Sequence, residues 1–459
     1  MNQKDTMFFT VTNKIEIRGA PAGFISTVRD RLTFANPKWL ENNKRGYWNG
    51  RTPKLLKCYK RTANGLLIPR GFIQQLIGIA RAQGIRYRLE DRRRILPEVD
   101  VAFHGRLKPF QKTAVEDVLA RDFGTLSAPT GSGKTVIALY AIAQRRQPAL
   151  IVVHTKELLN QWIDRIENFL GISAQDVGMI GDGRHNIGDK ITVATVQTLY
   201  KCTHRVKDHI GFLIVDECHR TPSRTFTEAV SAFDCKYMLG LSATPWRRDK
   251  LSRLIYWYIG DVIHEVNSEK LLKTKDILPV KIIARHTNFK TLLNPSEQYS
   301  KMLSELTQDA TRNELIAQDV AREVQEGEGI CLVLSDRKTH CEAIQGLLWR
   351  EHNIESELLT GDTPKAKRKD IVAKLNTGKV EVLIATGQLI GEGFDCKRLT
   401  TLFLATPIKF SGRVIQYLGR ILRPAPGKKN ATVYDYVDKH VGPLRASAKS
   451  RMRVYKQAA

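Results

Sequence analysis

The chain is poor in cysteine and does not place it in pairs. Cys58, Cys202, Cys218, Cys235, Cys331, Cys341 and Cys396 are scattered over 459 residues, none in C-x-x-C spacing. An odd count at such spacing argues against a disulfide framework and a four-ligand zinc site, and predicts reduced thiols in the cytoplasm. No apolar run approaches the roughly 20 residues a membrane span needs, so no membrane role is expected. The first residues, MNQKDTMFF, lack a basic stretch leading into an apolar one, and no secretory signal is predicted. Fixed-period repeats and low-complexity tracts are absent as well.

Acid is also scarce. Lys and Arg total 73 against 47 Asp and Glu, a formal net charge of +26. A field of that sign attracts polyanions, of which nucleic acid is the usual one. Residues 1–104 hold 20 basic against 8 acidic side chains, and the stretch from Lys439 to Ala459 holds six basic residues and no acid. Both ends are therefore expected to reach phosphates.

What is present is a long α/β pattern. Residues 1–98 read as a small basic α/β unit, with Asn64-Gly65 as a hairpin turn and Phe72, Ile73, Leu76, Ile77 and Ala80 on one helix face. LEDRRRILPEVD reads as a charged linker. Over 104–265 short, wholly apolar strands alternate with helices (GTLSA, ALIVVHT, ITVATV, FLIVDE, YMLGLSA), and a second alternation fills 280–440. Strands apolar throughout predict parallel sheets covered on both faces. The expected fold is α/β: two tandem parallel-sheet domains behind a small basic α/β unit, with 441–459 as a basic tail.

SAPTGSGKT, Ser127 to Thr135, follows a strand and precedes an apolar helix, the setting of a phosphate-binding loop. Ala128, Pro129, Thr130, Gly131, Ser132 and Gly133 form the loop. Lys134 supplies a cation for the β and γ phosphates, and the Thr135 hydroxyl can hold Mg²⁺. A second carboxylate source is then required. LIVDECHR puts Asp216, Glu217, Cys218 and His219 in a row at the end of an apolar run. Four potential metal ligands raise a zinc reading, but alternating strand residues face opposite ways and cannot easily converge. Asp216 is placed to hold Mg²⁺ and Glu217 to polarise the attacking water. In QYLGRILR, Arg420 and Arg423 lie three apart on one helix side, where a guanidinium can complete an ATP site as an arginine finger.

These motifs, in this order, resemble the superfamily 2 helicases over nearly all of 104–440. LKPFQ resembles the adenine-reading segment through Gln111. HTKELLNQW and VATVQTL resemble strand-contact motifs, LVLSDRKTH the fourth motif, GEGFD the fifth and QYLGRILR the sixth. The resemblance implies that Gly393 and Asp395 join the ATP site and that Gln416 joins the two arginines. It implies that His219 couples the nucleotide site to Ser242, Ala243 and Thr244 of SAT. It also implies that Thr155, Lys156, Thr195, Gln197 and Thr386 grip one DNA strand through sugar and phosphate. Within the superfamily the chain looks closest to the XPB-like and UvsW-like DNA helicases, although Arg247-Arg248-Asp249 replaces their Arg-Glu-Asp segment.

The resemblance implies two tandem RecA-like domains behind a small α/β DNA-binding domain at 1–98, and an ATP- and Mg²⁺-dependent DNA helicase or translocase acting on forked or branched DNA, with 3′–5′ movement. Tyr47 and Trp48, set among Arg45, Arg51 and Lys54, are further candidates for DNA contact, and Tyr256-Trp257-Tyr258 could hold a base-stacking wedge, although such a row is more often half core and half surface. The expected state off DNA is a monomer. The rival readings are an RNA helicase and an ATP-gated clamp that anneals DNA without net unwinding. A restriction-complex motor is a further one, though no nuclease motif is present.

Overall fold

The computed structural model describes residues 6–220, 224–243, 251–295, 297–327, 329–387, 396, 398–408, 414, 417–419, 421–422, 424–425, 428 and 430–458. One compact unit holds Met1–Ala128 and Gly133–Val266, the other Pro129–Ser132 and Asn267–Ala459.

In the first unit the chain opens with β1 (Met7–Val11), β2 (Lys14–Arg18), β3 (Thr33–Ala35), β4 (Leu55–Lys57), β5 (Lys60–Thr62), β6 (Gly65–Pro69) and β7 (Tyr87–Asp91). Five of these form a sheet ordered β5-β6-β2-β1-β7, and β3 pairs with β4 apart from it. The β5–β6 hairpin forms where Asn64-Gly65 predicted one, but its two turn residues are Ala63 and Asn64, with Thr62 paired opposite Gly65. Helices Ala22–Arg31 and Ile73–Ala82 cover the sheet with Phe24, Val28, Leu76 and Ala80, all buried.

Two expectations fail in this region. LEDRRRILPEVD is not a free linker, because its first residues complete β7, parallel to β1. Arg93 then pairs with Asp91 and Asp122 at 2.7 and 2.6 Å, and Arg94 with Asp208 and Asp234, both at 2.8 Å. Part of the basic excess is thus spent inside the protein. Nor do Tyr256, Trp257 and Tyr258 form a wedge. They end the helix Ser252–Tyr258, and Trp257 is buried in the core of the N-terminal sheet. There it meets Phe34 and Phe72 edge-on at 5.8 and 6.0 Å. Such a row of aromatics at a helix end gains more from burial than from exposure.

The larger sheet of this unit comprises β8 (Phe123–Ser127), β9 (Ala149–Val153), β10 (Gly178–Gly181), β11 (Arg184–Asn186), β12 (Ile191–Thr195), β13 (Phe212–Val215), β14 (Tyr237–Ser242) and β15 (Val262–Glu265). Its order is β11-β10-β12-β9-β13-β14-β8-β15, parallel except for the β10–β11 pair. Every residue of β9, β12 and β13 is buried, as expected for strands sandwiched between helices.

The second unit holds β16 (Val280–His286), β17 (Ile330–Ser335), β18 (Ser356–Leu359), β19 (Val382–Thr386), β20 (Leu399–Leu404) and β21 (Ala431–Val437). They form an all-parallel sheet in the order β16-β21-β20-β17-β19-β18. The basic tail expected at 441–459 is a packed helix, Gly442–Ala458, with Val454 and Tyr455 in the core. Its Arg451 is buried and forks onto Asp435 at 2.6 Å, so this cation is unavailable to phosphate.

Beneath the same sheet His340 is fully enclosed. Its Nε2 lies 2.8 Å from Asn313 Oδ1 and its Nδ1 3.0 Å from Ser335 Oγ. Burial, and then the nearby Arg312 charge, lower its pKa to about 3. A folded-state value below the unfolded one favours folding above about pH 6.5, and that contribution is lost as pH falls. The second unit is therefore expected to lose about 2 kcal/mol of stability from this group between pH 7 and pH 5. Melting curves of wild type and His340→Gln across that range check this, because the variant should show a flatter profile.

Candidate nucleotide site

Strand order assembles the site. β8, β14 and β13 are neighbours and parallel, with Ser127 opposite Ser242 and Gly240 opposite Val215. Three loops therefore leave one sheet edge side by side: the glycine-rich loop after β8, Asp216-Glu217 after β13, and Ser242-Ala243 at the end of β14. Ligands of parallel α/β sheets bind at this carboxyl edge.

Ala128 is buried, and its amide donates to Ser242 O at 2.9 Å, tying the loop start to β14. Pro129 O accepts from the Ser132 amide and hydroxyl at 3.2 and 2.7 Å. Thr130 sits half-buried between them. Gly131 and Gly133 take φ of +90° and +86°, left-handed values that side chains resist. A Cβ on Gly133 would also lie 2.4 Å from Gln111 Nε2. Gln111, buried in the helix Pro109–Leu119, accepts from the Lys108 amide at 2.9 Å and so lies against the loop. Lys134 and Thr135 open the helix Lys134–Arg145, and Lys134 Nζ donates to Ala128 O at 3.0 Å.

The residues after β13 are not strand. Asp216 and Glu217 form a turn and Cys218–Arg220 a single 3-10 turn, with Glu217 at φ +48°. The turn separates the four side chains in a way that strand alternation alone did not foresee. Cys218 is buried in the core, and a Cβ on Gly240 would meet its Sγ at 3.1 Å. His219 Nδ1 lies 3.1 Å from Glu217 Oε2 and 3.2 Å from Ser242 Oγ, bridging the carboxylate and the end of β14. Among the described residues no cluster of three metal-ligating side chains gathers.

Asp216 is buried. One of its oxygens accepts from Trp162 Nε1 at 2.8 Å and the other from the Glu217 amide at 2.9 Å. Trp162 belongs to HTKELLNQW but was not a sequence candidate, since nothing local ties it to a carboxylate 54 residues away. Burial, then the Glu217 charge, push the Asp216 carboxyl up to about 6, against the pull of Trp162, Lys134 and the Glu217 amide. A buried carboxylate in that condition, beside a second one and a hydroxyl-bearing helix start, matches the all-oxygen donor set of a hard divalent cation.

The nucleic-acid candidates fall into two groups. Thr155 caps the helix Lys156–Leu170, accepting from Leu158 N, and Lys156 pairs with Asp182 at 2.6 Å. Thr195 is buried and donates to Thr198 Oγ1, so its side chain is turned away from solvent. Gln197 is exposed and donates to His154 O, and Thr386 ends β19. Tyr47 and Trp48, by contrast, stand 61% and 91% exposed. Thr244, Gly393, Asp395, Gln416, Arg420 and Arg423 lie outside the described residues, as does Arg247-Arg248-Asp249.

A glycine-rich loop and a carboxylate pair on one parallel-sheet edge, followed by a second parallel sheet, fit an ATP-driven motor of the tandem-domain kind. The family models agree. Residues 104–247 match the model described as type III restriction enzyme, res subunit, and residues 311–425 the helicase conserved C-terminal domain. The chain belongs to the superfamily 2 helicases, near the XPB and UvsW types, and is an ATP-dependent helicase.

Its relatives include a protein of Acanthamoeba polyphaga mimivirus provisionally named an ATP-dependent RNA helicase. That protein is 27% identical over 79% of this chain and 70% of its own. The DNA 3′-5′ translocase XPB2 of Sulfurisphaera tokodaii is 26% identical over 75% of this chain and 84% of its own. The ATP-dependent DNA helicase uvsW of Enterobacteria phage T4 is 25% identical over 75% and 72%.

A carboxyl group whose folded pKa lies above its unfolded value costs stability as pH rises through that window, here from about 4 to about 6. In metal-free buffer the stability of Asp216→Asn relative to wild type should therefore be about 1–3 kcal/mol more favourable at pH 7.5 than at pH 4. Thermal unfolding with a chelator present, at both pH values, measures it.

Proposed function

We propose that this helicase acts on DNA, unwinding or remodelling forked or branched duplexes with 3′–5′ polarity, driven by ATP with Mg²⁺. The observation that carries the DNA reading is the excursion between Asn36 and Lys57. It holds six basic residues against one acid and projects Trp48 and Tyr47 into solvent. Basic side chains interleaved with exposed aromatics suit backbone contact plus base stacking. The names of the XPB2 and uvsW relatives support DNA, and the first of them supports the polarity.

In this reading residues 1–98 grip structured DNA, 104–265 bind ATP, and 280–440 form the partner motor domain that supplies Gln416, Arg420 and Arg423. Lys156, Gln197 and Thr386, with backbone groups near Thr155 and Thr195, hold phosphates and confer little sequence preference. Thr135 and Asp216 would hold Mg²⁺, which when bound offsets phosphate charge and polarises the terminal phosphoryl group. Lys134 binds the phosphates and Gln111 the adenine. Glu217 orients the attacking water and takes its proton, and His219 relays the state of that carboxylate to Ser242, Ala243 and Thr244.

Glu217→Gln should keep nucleotide binding while lowering turnover about 10²–10⁴-fold, the ordinary size of a general-base contribution. ATP hydrolysis and fluorescent-nucleotide titration on the same preparation check this, and near-normal turnover in the variant removes Glu217 from the role.

The substrate is read from a panel of forks, flaps, Holliday junctions, linear duplex and RNA hybrids, scored for both ATPase stimulation and strand displacement. Forked or branched DNA should rank first. Trp48→Ala should weaken fork binding about 5–100-fold, the equivalent of one lost base stack. Stimulation by RNA alone overturns the DNA reading in favour of the one carried in the mimivirus relative's name. Hydrolysis without displacement on any substrate favours the clamp or a duplex translocase. Point variants are preferable to removal of residues 1–98, because that removal would strip the packing partners of Trp257.

A further inference from the structure

Trp162 lies on the inner face of the helix Lys156–Leu170 and is 2% exposed. This helix begins just after β9, at the sheet edge where β13 also ends, with Val152 and Val215 opposite one another. Helical side chains lean back towards the N-terminus of their helix. The indole of a residue two turns in therefore reaches back to that edge. Its Nε1–H donates to Asp216 Oδ2 at 2.8 Å, while Oδ1 accepts from the Glu217 amide at 2.9 Å. The Asp216 amide is itself bonded to Val152 O at 2.9 Å. Asp216 is thus held at its backbone and at both oxygens, and of the two side-chain bonds only that from Trp162 comes from outside its own turn.

The type of donor matters. An indole N–H gives one hydrogen bond, accepts none, and has no second tautomer. A buried ring with two side-chain torsions is also stiffly placed by its packing. A serine or histidine in its place could rotate or change role, and a lysine would compete as a cation. Trp162 instead offers a fixed donor at a fixed point, so the carboxylate plane has one favoured setting and lone pairs remain for a further ligand.

We infer that Trp162 is a positioning residue for ATP hydrolysis, orienting the Asp216 carboxylate so that it takes Mg²⁺ in one geometry. The inference rests on the reading of Asp216 as the Mg²⁺-holding group. Outer partners of metal-holding carboxylates typically contribute 10–100-fold in metal affinity. Trp162→Phe, which keeps most of the ring packing and removes the donor, should raise the Mg²⁺ concentration for half-maximal ATPase by that factor. At saturating Mg²⁺, kcat should return to within a few-fold of wild type. A general packing defect would lower kcat at every Mg²⁺ concentration.

The test uses the full chain. The half-saturating Mg²⁺ is measured by ATPase and, independently of turnover, by the thermal shift that Mg²⁺ produces in ADP-saturated protein. The six tryptophans also give resolvable indole N–H signals in ¹⁵N-labelled protein, and the one missing in Trp162→Phe belongs to Trp162. That signal should move in wild type when Mg²⁺ is added to the ADP complex. If the variant does not fold, backbone-preserving Trp assignment by selective labelling of the wild type still provides this readout.

Asp216→Asn separates the two levels. If it responds to Mg²⁺ as wild type does, Asp216 does not hold the metal and the underlying reading fails. If it loses that response while Trp162→Phe titrates like wild type and the Trp162 signal stays still, Trp162 has no positioning role and the inference alone is overturned.

Discussion

The parallel pairing of β8, β14 and β13 is the constraint on which the nucleotide site depends. Each strand contributes a loop that would be unremarkable alone: a glycine-rich turn, two carboxylates, a short polar end. Hydrogen-bonded neighbours in register bring the three ends to one level, about 4.8 Å apart strand to strand. The Ala128 amide on Ser242 O and the His219 bridge between Glu217 and Ser242 then close the gaps sideways. The cost is visible in the backbone. Glu217 occupies a left-handed conformation that a non-glycine residue adopts only when its surroundings hold it there.

The sequence made the strands and the phosphate loop readable for a physical reason. Parallel strands covered on both faces must be apolar throughout, so ALIVV, FLIV and ICLVLS stand out against their flanks. The loop carries its own conformational signature in Gly131 and Gly133. Trp162 was invisible as an Asp216 partner because an inward-facing helix tryptophan looks like core, and the register that brings it near β13 is set by strand order. The wedge reading of Tyr256-Trp257-Tyr258 failed for the converse reason. A row of aromatics carries no mark of which neighbour will cover it, and here the covering rings, Phe34 and Phe72, come from far earlier in the chain.

Charge counts were informative about the whole and misleading about particular residues. A net +26 points towards polyanions, yet Arg93, Arg94 and Arg451 are taken up by Asp91, Asp122, Asp208, Asp234 and Asp435. These arginines fasten segments that looked like linker and tail. Composition treats every guanidinium alike, whereas a planar, permanently charged fork is well suited to pinning one element onto another. The cations left for a nucleic acid are those on the surface, and the excursion around Trp48 concentrates them beside exposed rings.

The helix Gly442–Ala458 also sets an order of events. Val454 and Tyr455 belong to the core beneath the second sheet, and β21 lies in that sheet between β16 and β20. During synthesis the chain must therefore have left the exit tunnel as far as Val454 and Tyr455 before the second unit can finish its interior. The first unit contains everything its own core needs by Val266. Domains tend to fold as they emerge, N-terminal first. The nascent protein thus passes through a stage in which the first unit is built while the second waits, unpacked, for β21 and the helix Gly442–Ala458.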